Sequence, residues 1–95
     1  MKKCTIIYNP KSGKGLREKQ IEQIMDLLLE YGYDADIIYT QYKNHAKEIV
    51  ASLPHVDLLL SVGGDGTFSE IVTANVKREK PILLALLPQG TTNDV

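Results

Sequence analysis

The chain has one cysteine, no tryptophan, four prolines and a formal net charge of only −1 at pH 7 across 95 residues. A single cysteine excludes an internal disulfide framework and any metal site built from several thiolates of one chain, and it suits a reducing compartment. Cys4 leads into Thr5, Ile6, Ile7 and Tyr8 and so reads as a small buried strand residue rather than a nucleophile. A net charge so close to zero argues against a general nucleic-acid binder. No apolar run reaches the ~20 residues that a membrane span requires, and Met1-Lys2-Lys3 is not followed by the long apolar stretch of a signal segment. The expected location is therefore cytoplasmic. What charge there is lies unevenly: Lys2, Lys3, Lys11, Lys14, Arg17 and Lys19 crowd the first 19 positions against Glu18 alone. That segment is either a solvated basic edge or a loop facing an anion.

Apolar residues make up 43% of the chain and charged residues 24%, enough for one globular domain with a modest core. Polarity alternates in a regular way along it. Cys4 to Tyr8 is β-branched and aromatic, ends at Asn9-Pro10 and reads as a buried strand. Ile21, Ile24, Met25, Leu28 and Tyr31 follow helical spacing within a helix from about Leu16 to Tyr31, with Gly32 as its stop. Ala35 to Thr40 is a second strand. Ala46, Ile49, Val50 and Leu53 repeat the helical spacing, with Asn44 as a cap candidate and Pro54 as terminator. Val56 to Val62 is a third strand, Phe68, Ile71, Val72 and Val76 a third helical face, and Pro81 to Leu87 a fourth strand. The order β-α-β-α-β-α-β, with strands apolar on both faces, predicts a three-layer α/β/α fold around a mainly parallel sheet. Gln89-Gly90-Thr91-Thr92-Asn93-Asp94-Val95 then opens a further polar turn, so the chain reads as the front part of something longer.

Ligands of open parallel sheets sit beyond the carboxyl ends of the strands, where strand-to-helix turns gather and helix N-termini point their N–H groups. Three glycine-containing polar segments follow strands here and should share that edge: residues 9–15, Gly63-Gly64-Asp65-Gly66-Thr67, and Gly90-Thr91-Thr92-Asn93-Asp94. Glycine allows close approach of the backbone to a phosphate, and hydroxyl and amide groups donate to its oxygens. Neither familiar nucleotide fingerprint fits. A G-x-x-x-x-G-K-[ST] loop would need glycine where Tyr8 stands and Ser or Thr where Gly15 stands, and the G-x-G-x-x-G pattern fails at Ser69. Each loop alone is equally well a tight structural turn. Three on one edge point to a polyphosphate site.

In order and spacing, Asn9-Pro10-Lys11-Ser12-Gly13, Gly63-Gly64-Asp65-Gly66-Thr67 and Gly90-Thr91-Thr92-Asn93-Asp94 resemble the diacylglycerol kinase catalytic-domain family, which includes diacylglycerol, sphingosine and bacterial lipid kinases. Gly-Gly-Asp-Gly-Thr alone marks a superfamily shared with NAD kinases and, in variant form, phosphofructokinases; the first and last segments point to the lipid-kinase branch. The resemblance runs along the whole chain and covers only the family's N-terminal domain. It implies the ATP-binding part of a two-domain enzyme that transfers the γ-phosphoryl group of ATP to a lipid hydroxyl, with Mg²⁺ as cofactor. By the same resemblance the nucleotide contacts map to Asn9, Pro10, Lys11, Ser12 and Gly13, to Thr40, to Gly64, Asp65, Gly66, Thr67, Phe68, Ser69 and Glu70, and to Thr91. Asp65 cannot attract a phosphate; its roles are to hold Mg²⁺ indirectly, through water, or to order the loop by accepting N–H bonds. Lys11 and Lys14 are read either as phosphate neutralisers or as solvated loop residues.

Ser69 departs from the family, whose members often carry Asn there; a hydroxyl reaches less far than an amide. Glu70 in a first helical turn is also explained by the helix dipole. No catalytic base is found in the chain: it and much of the lipid site are expected in a C-terminal domain, and the 95 residues alone are expected to lack turnover. His45 and His55 are read as surface residues away from the site edge. The first helix could lie on a bilayer, but Glu18, Glu22, Asp26 and Glu30 oppose an anionic surface, so its apolar face is assigned to the core. The partners implied are ATP, a lipid at a membrane surface reached by the absent domain, and further copies of the chain across an open apolar edge. Two other readings stay open: an NAD kinase-like enzyme, against which the Gly90 to Asp94 loop weighs, and a stand-alone nucleotide-binding regulatory module.

Overall fold

The computed structural model describes residues 1–10 and 18–88. Seven elements follow one another: β1 (Lys2–Tyr8), α1 (Glu18–Glu30), β2 (Tyr33–Tyr39), α2 (His45–Ser52), β3 (Leu58–Gly63), α3 (Asp65–Val76) and β4 (Leu84–Pro88). The strands form one sheet in the order β2-β1-β3-β4, every neighbouring pair parallel. Cys4 pairs with Ala35 on one side and Leu58 on the other, and Leu59 pairs with Leu84. The expected alternation and sheet type therefore hold.

Strand order dictates which helix covers which face. From β1 the chain steps outward to β2, whereas from β2 to β3 and from β3 to β4 it moves the opposite way. Right-handed crossovers then place α1 on one face and α2 and α3 on the other. The side chains of β1 confirm this by their alternation: Cys4, Ile6 and Tyr8 join Val62 under Ile21, Ile24, Met25 and Leu28 of α1, while Ile7 joins Leu59 under Ala46, Val50 and Ile71. β1 and β3 are apolar on both faces as expected. β2 is not, because it is an edge strand; its Asp34 and Asp36 are exposed.

Some boundaries move. β1 reaches back to Lys2, whose N–H donates to the Gly32 carbonyl at 3.0 Å, and Gly32 takes the left-handed φ of 88° that ends α1. Tyr31, expected on the inward face of α1, lies past the helix and is 74% exposed. Ile82 and Leu83 precede β4, yet Ile82 is buried in the core and the Leu83 carbonyl already accepts from the Leu59 N–H at 2.8 Å.

The inward face of α3 also differs from the expected one. Thr67, Ile71 and Asn75 are buried, and Val76 is 66% exposed. Two polar residues win these positions because each finds a partner. Asn75 clamps the backbone of Ile82, its Nδ2 donating to the carbonyl at 2.8 Å and its Oδ1 accepting from the N–H at 2.9 Å. Thr67 is held at the sheet edge, as described below. Arg78, just beyond α3, donates through Nη1 to the carbonyls of Val50 and Leu53 at 2.6 and 2.7 Å and so satisfies the C-terminus of α2.

The basic N-terminal segment is divided by the fold. Lys2 and Lys3 lie at the amino ends of the strands, where Lys3 pairs with Asp34 at 2.8 Å and Lys2 stands over the Tyr33 ring. Neither faces the carboxyl edge.

Candidate functional site

The direction of chain travel reverses between β1 and β3, which puts the switch point of the sheet at their carboxyl ends. Asn9 leaves β1 there and Gly64 leaves β3. A hydrogen bond from Asn9 Nδ2 to Thr67 Oγ1, 3.3 Å long, ties the two ends together. On the other side of β1, the Thr40 N–H donates to the Tyr8 carbonyl at 2.9 Å and continues the β1–β2 ladder one residue past the strand. Thr40 is buried by this, and the chain after it turns over the same edge.

A cleft of about 310 Å³ opens between these segments. Five of the expected positions line it: Asn9, Thr40, Gly66, Thr67 and Glu70. Gly64 and Asp65 begin α3 beside it, Gly64 as the N-cap and Asp65 as an exposed first-turn residue. Pro10, Phe68 and Ser69 do not line the cleft; the Ser69 carbonyl accepts the Thr73 hydroxyl within α3. Lys11, Ser12, Gly13 and Thr91 lie outside the described residues.

α3 starts abruptly, and this shapes the site. Gly63 adopts φ 139°, which an L side chain disfavours, and turns the chain from strand to helix. Gly64 has an ordinary extended backbone (φ −89°, ψ 179°) and no side chain caps the helix. The first-turn N–H groups therefore face the edge with the positive end of the helix dipole. Gly66 is already inside the helix, with nothing within 4 Å of the position a Cβ would take.

The wall after β2 was not foreseen. Gln41, Tyr42 and Lys43 line the cleft, and Lys43 brings a cation to it. His45, expected away from the site, stands directly behind them: its Nδ1 accepts from the Gln41 N–H at 2.9 Å, and its ring stacks on Tyr42 at 4.3 Å with the planes 17° apart. The reason is topological, since helices that follow parallel strands begin at the carboxyl edge and His45 is the first residue of α2. The Tyr42 hydroxyl donates to Glu48 at 2.8 Å, which holds the phenol proton and raises its pKa. Asn44 occupies the expected N-cap position in a left-handed conformation (φ 70°) without capping through its side chain; its N–H donates to Glu70 Oε2 at 3.3 Å and joins this wall to α3.

Among the described residues no group of three or more His, Cys, Asp or Glu side chains could hold a metal ion. Asp65 can offer one carboxylate from the edge of the cleft. That donor set suits a small hard cation that is held mainly by water and by a ligand's own phosphate oxygens. Cys4 plays no part: it is buried on the α1 face, and burial pushes its thiol up to about 11.

Comparison with known proteins places this geometry. The family model for the diacylglycerol kinase catalytic domain matches residues 3–95. Diacylglycerol kinase of Bacillus subtilis (strain 168) is 34% identical over 99% of the chain, which covers 32% of that protein. A Klebsiella pneumoniae (strain 342) protein named "Probable lipid kinase YegS-like" is 36% identical over 87% of the chain and 29% of its own length. The crystal structure of a diacylglycerol kinase from Bacillus anthracis str. Sterne superposes with a TM-score of 0.71 at 31% identity, covering 98% of the chain and 35% of that structure. The chain thus spans about a third of the length of these relatives. With the motifs, the fold and the cleft in agreement, the chain belongs to the diacylglycerol kinase catalytic domain family.

Proposed function

We propose that the chain is the nucleotide-binding domain of a lipid kinase, and that the cleft at the switch point receives the phosphates of ATP. Gly66 carries this reading. In the first turn of a helix, with helical backbone and open space around its missing Cβ, a glycine serves no purpose of the fold. Alanine there would favour the helix by up to ~1 kcal/mol. A ligand pressed against the backbone explains the glycine, since Gly66 lines the cleft and a Cβ would project into the space a phosphate needs.

The roles of the surrounding residues follow. The first-turn N–H groups of α3 and the Thr67 hydroxyl donate to phosphate oxygens, Asn9 fixes Thr67 in place, and Lys43 balances charge. Mg²⁺ held at Asp65 through water would neutralise charge on the transferring phosphoryl group. Lys11, Ser12, Gly13 and Thr91 complete the site in this reading. The acceptor is a lipid hydroxyl, in keeping with the relatives' names, and the enzyme meets its substrate peripherally at a membrane surface. A further domain supplies the proton acceptor and the lipid contacts.

The test is Gly66→Ala. The variant should melt at the same temperature or higher and bind ATP with Mg²⁺ at least about tenfold more weakly, as measured by calorimetry. Unchanged affinity in a folded variant would refute the site.

A further inference from the structure

We propose that the ring of Tyr42 is the platform on which the base of the bound nucleotide stacks, making the wall after β2 the base-recognition subsite; this rests on the nucleotide reading above. The cleft is shared between two segments, the start of α3 and the loop from Thr40 to Lys43. Phosphates belong at the first, where the helix donors and Gly66 lie. The remainder of a nucleotide then extends along the second, whose largest side chain is Tyr42.

Tyr42 has the properties of a platform and not of a core or ordinary surface residue. Its ring is 56% exposed, so burial does not hold it. Three contacts nevertheless fix it: the His45 ring stacked against one face, Glu48 accepting from the hydroxyl, and the Tyr42 carbonyl accepting from the His45 N–H at 3.1 Å. His45 is itself oriented by the Gln41 N–H, and the bond between Asn44 and Glu70 anchors the turn to α3. An exposed loop aromatic would ordinarily lose rotamer freedom on meeting a ligand; here that freedom is already spent within the protein. A ring backed on one side and restrained at its tip presents its other face to a flat partner. Gln41 and Lys43, its neighbours on the wall, offer amide and ammonium groups to ring nitrogens and carbonyls. Stacking favours the larger base, so a purine is the ligand class.

Two probes separate the base from the phosphates: ATP and inorganic tripolyphosphate, each with Mg²⁺, titrated into the 95-residue chain and into Tyr42→Ala and Tyr42→Phe. Tyr42→Ala should weaken ATP binding about tenfold, within the range of base stacking on an aromatic, and change tripolyphosphate binding by less than about twofold. Tyr42→Phe, which keeps the ring, should retain ATP affinity within about threefold. Thermal unfolding checks that both variants fold; should Tyr42→Ala not fold, the inference predicts that Tyr42→Leu, which keeps bulk and removes the ring, shows the same selective loss. Equal losses for the two ligands, or no loss for either, would overturn the platform and leave the phosphate site standing. Failure of the unaltered chain to bind either probe would overturn both readings.

Discussion

Cys4 and Tyr42 show how one side chain can be read twice, once by type and once by surroundings. Cys4 sits in the middle of β1 at 1% exposure, and burial raises its thiol to about 11. A group whose pKa is higher folded than unfolded binds more protons in the folded state between the two values, so folding stability falls as pH rises across that interval. The contribution of Cys4 is complete below about pH 8.5, the unfolded thiol value, and is lost as pH climbs to about 11. Urea unfolding of Cys4→Ala against the unaltered chain should show a steeper decline for the latter over that range; parallel curves would show that the thiol does not titrate with folding. The burial of Cys4 was legible from its β-branched neighbours. Tyr42 was not, because nothing local distinguishes a tyrosine in a polar loop from any other; only the His45 ring and Glu48 give it an orientation. The available signal was position, since a loop that follows a parallel strand lies on the ligand edge.

Elements were legible where apolar spacing was their cause. α1 follows its stripe of Ile21, Ile24, Met25 and Leu28, and Gly32 stops it. α3 was misread in phase, because the search for apolar positions passed over Thr67 and Asn75, whose burial depends on hydrogen bonds to residues distant from them in the fold. The same kind of contact decides the end of α2. Arg78 donates to two of its terminal carbonyls from 25 and 28 positions away. Arg78→Met keeps the aliphatic stem and removes the donors, leaving part-buried carbonyls short of partners. We expect a loss of about 1–3 kcal/mol in urea unfolding. A variant as stable as the parent would mean that water satisfies those carbonyls equally well.

For the whole molecule, the parallel sheet gathers the ends of β1, β2 and β3 on one edge and sends Lys2 and Lys3 to the other. The cleft gathers donors for an anion, but its acidic members are Glu70, bonded to the Asn44 N–H, and Asp65 beside it, and we assign neither as a base for a lipid hydroxyl. We expect the 95-residue chain to bind nucleotide without turning it over. ATP-dependent phosphorylation of diacylglycerol by the purified chain, followed with radiolabelled ATP, would overturn this expectation. No helix among the described residues is long and apolar enough to cross a membrane, so access to a lipid has to come from a surface contact.

By itself the sequence determined the layers, the parallel sheet and the loops in which phosphate chemistry resides. These follow from periodicity and from glycine and hydroxyl residues placed after apolar runs, all of which are local properties of the chain. Tertiary structure alone decided that α1 takes one face while α2 and α3 share the other, that Asn9 holds Thr67, and that Tyr42, backed by His45, lines the cleft opened by Gly66. Those relations join residues on different strands and helices. They exist only once the order β2-β1-β3-β4 has brought the strand ends together, and no local pattern of side chains encodes that order.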